Sequence, residues 1–374
     1  VTTSSLPSPV PSRRPDRGQD CRPGRRSDRR HRRKGAGSTP PRADGSDIRR
    51  LKVDHPEDLL ALMPYLLGFQ PSESLVMMVI ADRTVKVTVR VDLVDDVTGV
   101  AQKFGAIAVT NRATGVVLIA YSADPGRADA MLLPVMDKLS SLRVIEAIYT
   151  DDHRWWSRSC GPDCCPAEGT AYDPGSNRLA AEAVFHGMTS YADRTELERL
   201  TAGPDDADLP GLRRQADQLA GVIRSRALRL RKTQIRDLVS GYVDRRTAGE
   251  GVDLSDRELI TLALLVMDVP VRDEAWSMME RQTAWIHVEL WQQVVSRAVP
   301  ALATPAVCLL GMAAWIQGQG ALQVCCMERA RQLTPEYSMV RTLQEINERA
   351  VPPAVWDRMK GGVREGLDAG YRRT

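Results

Sequence analysis

No apolar run in this 374-residue chain approaches the length of a membrane-spanning helix. The longest, Leu75 to Ala81, has seven residues, against the roughly 20 that a bilayer requires. A transmembrane helix is therefore not expected. The Arg-rich beginning has no apolar centre, so a secretory signal is not expected either. Seven Cys are too few for a disulfide scaffold in a chain this long. There is no Gly-x-Ser-x-Gly elbow, and no Walker loop, dinucleotide fingerprint or His-Glu-x-x-His helix. Nucleotide-driven and zincin chemistry are disfavoured. What is present, 43% hydrophobic and 26% charged residues, is ordinary for a soluble globular protein, and we expect a cytoplasmic one.

The net charge of +3 is unevenly spread. Residues 1–46 hold twelve Lys/Arg against four Asp, which leaves residues 47–374 net acidic. This tail is rich in Pro, Ser, Gly and Arg and nearly lacks apolar side chains, so burial cannot offset its chain entropy and it reads as disordered. Arg25, Arg26, Arg29, Arg30, Arg32 and Arg33 are a candidate phosphate-contacting run for nucleic acid. No aromatic lies among them to stack on bases, and a solvated tail is the simpler reading.

From residue 47 to about 175 the pattern is that of an α/β domain. His55-Pro56-Glu57 opens a helix that Gly68 ends. Ser74 to Ile80 is continuously apolar and Thr84 to Leu93 alternates, so the two make a hairpin of one buried and one half-buried strand. Helices at about 98–112 and 125–139 then alternate with strands at 115–121 and 143–149. That order predicts βαβ crossovers and a mixed, largely parallel sheet. After residue 175 the strand signal stops. Residues 176–250 read as a helical connector, with Thr195 and Glu198 as a capping box and a long helix over 210–244, broken once. Residues 251–374 read as an all-helical domain, opened by a second capping box of Ser255 and Glu258. Leu310-Gly311, Gly318, Met327, Ala330 and Pro335 match the spacing of a tetratricopeptide-like helix pair, without a second copy.

The densest chemistry lies just past the last strand. Asp151, Asp152 and His153 stand where α/β sheets tend to place sites, outside the carboxyl ends of strands. Asp92 and Asp124 end two other strands, so these acids are candidates to share one edge, as in a metal-assisted hydrolase. Cys160, Cys164, Cys165 and His153 are enough ligands for tetrahedral zinc, although adjacent Cys side chains diverge. Cys160 with His153 is a candidate thiol dyad, and a Trp- and Cys-lined packing loop is the structural alternative. The basic helix with Arg224, Arg226, Arg229, Arg231, Lys232 and Arg236 reads as a solvated face, with Leu228, Leu230, Ile235 and Leu238 inward. Trp276, Trp285, Trp291, Trp315 and Trp356 read as core, and His186 and His287 as structural.

Pro64 to Pro71 followed by Ser74-Leu75-Val76 resembles the opening of the actinobacterial family called domain of unknown function 4192. So do Arg154-Trp155-Trp156-Ser157 with Cys160, Cys164-Cys165-Pro166 and Glu168-Gly169, and Arg272 to Trp276, Leu290-Trp291 and the stretch from Ala314-Trp315 to Tyr337-Ser338. The resemblance covers about residues 48–356. Arg158 departs from it, standing where an apolar or aromatic residue is expected. The family implies a bacterial cytoplasmic protein and transfers no catalytic residue. The favoured expectation is a protein-binding adaptor or regulatory module whose helical half holds a partner. A metal- or thiol-assisted hydrolase using Asp92, Asp151, Asp152, His153 and Cys160 is the alternative, and nucleic-acid association through the tail is the second.

Overall fold

The computed structural model describes Val53 and residues 55–160, 166–185 and 188–361. The arginines of the basic tail and Cys164, Cys165 and His186 lie outside them. The chain enters through α1 (Pro56–Leu67), where the Asp58 carboxylate accepts from the His55 N–H at 3.1 Å. Gly68, at φ 84°, ends the helix in the left-handed conformation that a side chain resists. β1 (Ser74–Ala81) and β2 (Thr84–Asp92) form the hairpin, with Asp82 and Arg83 both left-handed at its tip. α2 (Val97–Thr110), β3 (Gly115–Tyr121), α3 (Pro125–Lys138) and β4 (Val144–Thr150) follow as the alternation predicts. Two short strands, β5 (Arg154–Ser157) and β6 (Thr170–Ala171), extend the sheet where the sequence reads as loop.

The sheet is mixed, in the order β2-β1-β3-β4-β5-β6, and it is not largely parallel. Only β3 and β4 pair in parallel; every other neighbour is antiparallel. The reason lies in β1. Leu75, Met77 and Val79 face α2 and α3, while Val76 and Met78 face the helical half. A strand apolar on both faces gains most in the sheet interior. β2 carries Lys86, Thr88 and Arg90 on alternate positions and takes the edge. β1 is thus wedged between β2 and β3, and the β2-α2-β3 crossover passes over it.

α2 and α3 cover one face of the sheet. The other face joins one continuous apolar core with the helices that follow. These are α4 (Arg178–Phe185), α5 (Arg194–Arg199), α6 (Leu209–Arg224), α7 (Leu228–Thr247), α8 (Asp256–Leu265), α9 (Val269–Ser277), α10 (Ala284–Arg297), α11 (Pro300–Gln317), α12 (Gly320–Leu333) and α13 (Ser338–Glu348); α4 is the exception, its Leu179 and Ala183 clustering separately with Leu62 of α1. The break in the long helix falls at Ser225–Ala227. Ser255 and Glu258 form the expected capping box on α8. α5 is capped by Asp193 rather than Thr195: Asp193 accepts from the Glu196 N–H at 3.0 Å, and Glu196 reaches back to the Ala192 N–H. α11 is long and apolar enough to span a membrane by composition alone, but 78% of it is buried. Its hydropathy is that of a helix sheathed by other helices.

Candidate functional site

The register of the sheet places one row of residues across its carboxyl edge. Asp92 pairs with Ser74, Ser74 with Tyr121, Tyr121 with Thr150, Thr150 with Trp155 and Trp155 with Thr170. Within this row the Ser74 Oγ, the Tyr121 hydroxyl and the Trp155 Nε1 are buried with no hydrogen-bond partner among the described residues. Burial holds the Tyr121 phenol well above its ordinary range, and the nearby Tyr172 and Asp152 push it the same way. Asp152 caps the row. Its backbone is left-handed at φ 76°, and Gln70 Nε2 donates to its Oδ1 at 3.1 Å. Burial raises the Asp152 carboxyl, and the Gln70 hydrogen bond opposes that shift. Tyr172, whose hydroxyl lies 3.3 Å from Thr150 Oγ1, is pushed up to about 12, chiefly by burial.

On the opposite face of the same edge, Glu73 ties three segments together. It too is a left-handed non-glycine, at φ 41°. Its carbonyl accepts from the Leu93 N–H at 3.0 Å. Its carboxylate accepts from Ser122 Oγ at 2.9 Å and faces Arg127 at 3.4 Å. Ser122 Oγ in turn accepts from the Asp124 N–H, and Asp124 caps α3. Beside this hub lies a cleft of about 380 Å³ lined by Leu93, Val94, Asp95, Val97, Arg127, Ala130 and Met131.

The acids expected on one edge do lie there, but they do not converge. Asp92 pairs with Arg90 at 2.7 Å. Asp124 is spent on the α3 amides, and Asp151 accepts from the His153 and Arg154 N–H groups. Strands lie about 4.8 Å apart, so Asp92 on β2 stands about 14 Å from the end of β4, beyond the reach of a shared ion. His153 and Cys160 are also separated. β5 runs back along β4, so His153 sits at its start while exposed Cys160 follows its far end. The four residues of β5 at about 3.3 Å each already carry the chain more than about 10 Å from His153 before the bends that lead to Cys160. Among the described residues no group of three His, Cys, Asp or Glu is arranged to hold a metal.

The Trp/Cys segment is a packed hairpin in its described part. Trp156 stacks on Tyr149 with centroids 4.8 Å apart, and its Nε1 donates to the Ala167 carbonyl. Gly169 lies so close to this ring that a Cβ would sit 2.4 Å from it. Arg154 donates to the Glu168 and Gly169 carbonyls. Arg158 forks onto Asp129 with two 2.8 Å bonds and lies over the Tyr149 ring, which accounts for a charge at an otherwise apolar position.

In the helical half, the Arg272–Trp276 motif is structural. Buried Arg272 binds Asp273 and donates to the Tyr337 hydroxyl at 2.7 Å. Glu274 faces Lys232 and Arg236, and Trp276 stacks on Trp356. Trp291, Trp315 and Trp356 are buried. Buried His287 is held down to about 4 by desolvation. Cys308, Cys325 and Cys326 are buried thiols. The basic helix differs from expectation: its inward stripe is Lys232, Ile235, Val239 and Tyr242, while Leu228 and Leu230 face outward. Arg231 pairs with Asp268 at 2.6 Å, which sets the start of α7 against the α8–α9 turn. There Met267 and Val269 are also exposed.

A mixed sheet with two helices on one face and a helical bundle on the other defines a two-part α/β plus α protein. The chain belongs to the family described as Domain of unknown function (DUF4192), whose model matches residues 56–354. No curated protein and no solved structure matches it.

Proposed function

We propose that the protein is an adaptor or regulatory module that holds a partner protein on the helical half, at the start of α7. The observation that carries this is the surface around the Arg231–Asp268 ion pair. Leu228 and Leu230 flank that pair on α7 and Met267 and Val269 flank it on the α8–α9 turn, and the four are 37%, 50%, 44% and 44% exposed; exposed apolar surface mixed with charge marks interaction sites. Every residue from Arg224 to Leu230 is exposed, and Arg224, Arg226 and Arg229 rim the patch with no acid among them. The partner that fits is an acidic amphipathic segment, apolar on one side and rich in Asp or Glu on the other.

The α11–α12 pair supports the same reading. Gly318 makes a left-handed turn between the helices, Ala330 is fully buried, and a Cβ on Gly311 would meet the Cys326 Cβ at 3.0 Å. Those are the close approaches a tetratricopeptide-like pair needs. Three buried thiols kept as thiols fit a reducing cytoplasm. The hydrolase reading is weaker, because its acids are occupied and His153 and Cys160 are apart.

The test compares capture from the native host by the wild type and by a Leu230→Glu/Met267→Glu double variant. The wild type should retain a protein that rising salt releases, and the variant, with unchanged circular dichroism, should lose it. Equal capture by both would remove the basis for the proposal.

A further inference from the structure

An open cleft lies on the α/β half beside Glu73. One wall is the loop after β2, with Leu93, Val94 and Asp95, together with Val97 at the start of α2; the other is the first two turns of α3, with Arg127, Ala130 and Met131. About 380 Å³ falls within the range of small-molecule sites, about 300–1,000 Å³, and its place outside the carboxyl ends of the strands is where α/β sheets bind ligands. Glu73 fixes both walls at once: its carbonyl holds Leu93 at 3.0 Å, while its carboxylate takes Ser122 and faces Arg127. It does so in a left-handed backbone that a non-glycine residue resists. Strain of that kind persists where the surrounding structure demands it.

The lining specifies the chemistry. Aliphatic side chains and polar groups share its lining, with no aromatic ring to stack on a base or a planar cofactor. Its two charges are opposite and sit on opposite walls. Arg127 is more than half exposed and held by Glu73 only at 3.4 Å, so donors remain for an incoming carboxylate. Asp95 is exposed and takes no side-chain hydrogen bond or ion pair among the described residues; the capping of α2 falls to Asp96 instead.

We infer that this cleft binds an aliphatic amino acid. Arg127 takes the ligand carboxylate, Asp95 its ammonium group, and Leu93, Val94, Val97 and Met131 its side chain. Neither the α7 surface nor any partner is needed for this binding.

The test uses the full chain with methyl-labelled Leu, Val, Ala and Met, titrated with L-leucine. Methyl signals of Val94, Val97, Ala130 and Met131 should shift saturably with a Kd of about 1 mM or tighter. Arg127→Met and Asp95→Asn should each weaken binding at least about tenfold. Ala130→Phe, at an exposed position on the cleft wall, should abolish binding while leaving distant methyl signals in place. 4-Methylpentanoate, which lacks the ammonium group, should bind at least about tenfold more weakly than leucine. The inference is overturned if leucine produces no saturable shift, if both charge variants bind as the wild type does, or if 4-methylpentanoate binds equally well.

Discussion

Ser74 and Tyr121 sit opposite each other in the pairing of β1 with β3, both buried, and neither hydroxyl has a hydrogen-bond partner among the described residues. A buried, unpaired hydroxyl costs about 1–3 kcal/mol of desolvation without return. Tyr121→Phe keeps the ring and removes that cost. We expect it to leave stability unchanged or raise it by up to about 1 kcal/mol in urea unfolding. A loss of more than about 1 kcal/mol would show that the hydroxyl makes a bond after all.

Gly169 and Gly211 give opposite expectations for the same change. At Gly169 the backbone is at φ 77° and a Cβ would strike the Trp156 ring. Gly169→Ala should cost about 1–3 kcal/mol and perturb the tryptophan fluorescence. Gly211 lies near the start of α6 with nothing within 4 Å of the added Cβ. Gly211→Ala should add about 0.4–1 kcal/mol by narrowing the unfolded ensemble. Thermal or urea unfolding of the pair checks both signs.

His287 makes stability depend on pH. Its folded value of about 4 lies below the ordinary 6.5, so between these two the unfolded chain binds a proton that the folded chain does not. The contribution is fully present above pH 6.5 and is lost as pH falls toward 4, to a total of about 3 kcal/mol. His287→Gln should flatten that slope in unfolding curves collected from pH 7 to 4, whatever it does to stability at pH 7. An unchanged slope would contradict the assignment.

Arg272 and Tyr337 should be coupled. The guanidinium donates to the phenol at 2.7 Å and lies 5.2 Å from the ring centroid, joining α9 to the start of α13. A double-mutant cycle of Arg272→Met and Tyr337→Phe should give a coupling of about 1–3 kcal/mol. Additive effects would mean that the motif holds Arg272 through Asp273 alone.

The legible parts of this fold are those set by local pattern. The continuous run of β1 and the alternation of β2 announced which strand would be buried, and the turn chemistry at Gly68 and Ser255 marked helix ends correctly. The pairing of β1 with β2 was legible from the short turn between them, but the wedging of β1 between β2 and β3 is a non-local outcome, and nothing near residues 74–81 states that β3 will flank their other side. On α7 the inward stripe includes Lys232, whose aliphatic stem substitutes for an apolar residue. A reading by hydrophobicity therefore turned Leu228 and Leu230 the wrong way. At the sheet edge, Asp92, Asp151 and Asp152 were found by their position after strands. Gln70 and Glu73, which organise that edge, come from an irregular loop with no period to betray them. Their one signal was the Gly68-to-Pro71 break that forces the chain to turn there.

The most direct test of the partner surface is site-specific photo-crosslinking in the native host, with the crosslinker at Leu230 or Met267 and a control at Val109, which is 73% exposed on α2 of the other half. The same partner protein should be captured at both helical positions and not at the control, and replacing Arg224, Arg226 and Arg229 with Glu should abolish the adduct. No shared adduct at 230 and 267, or equal yield at 109, would contradict the account.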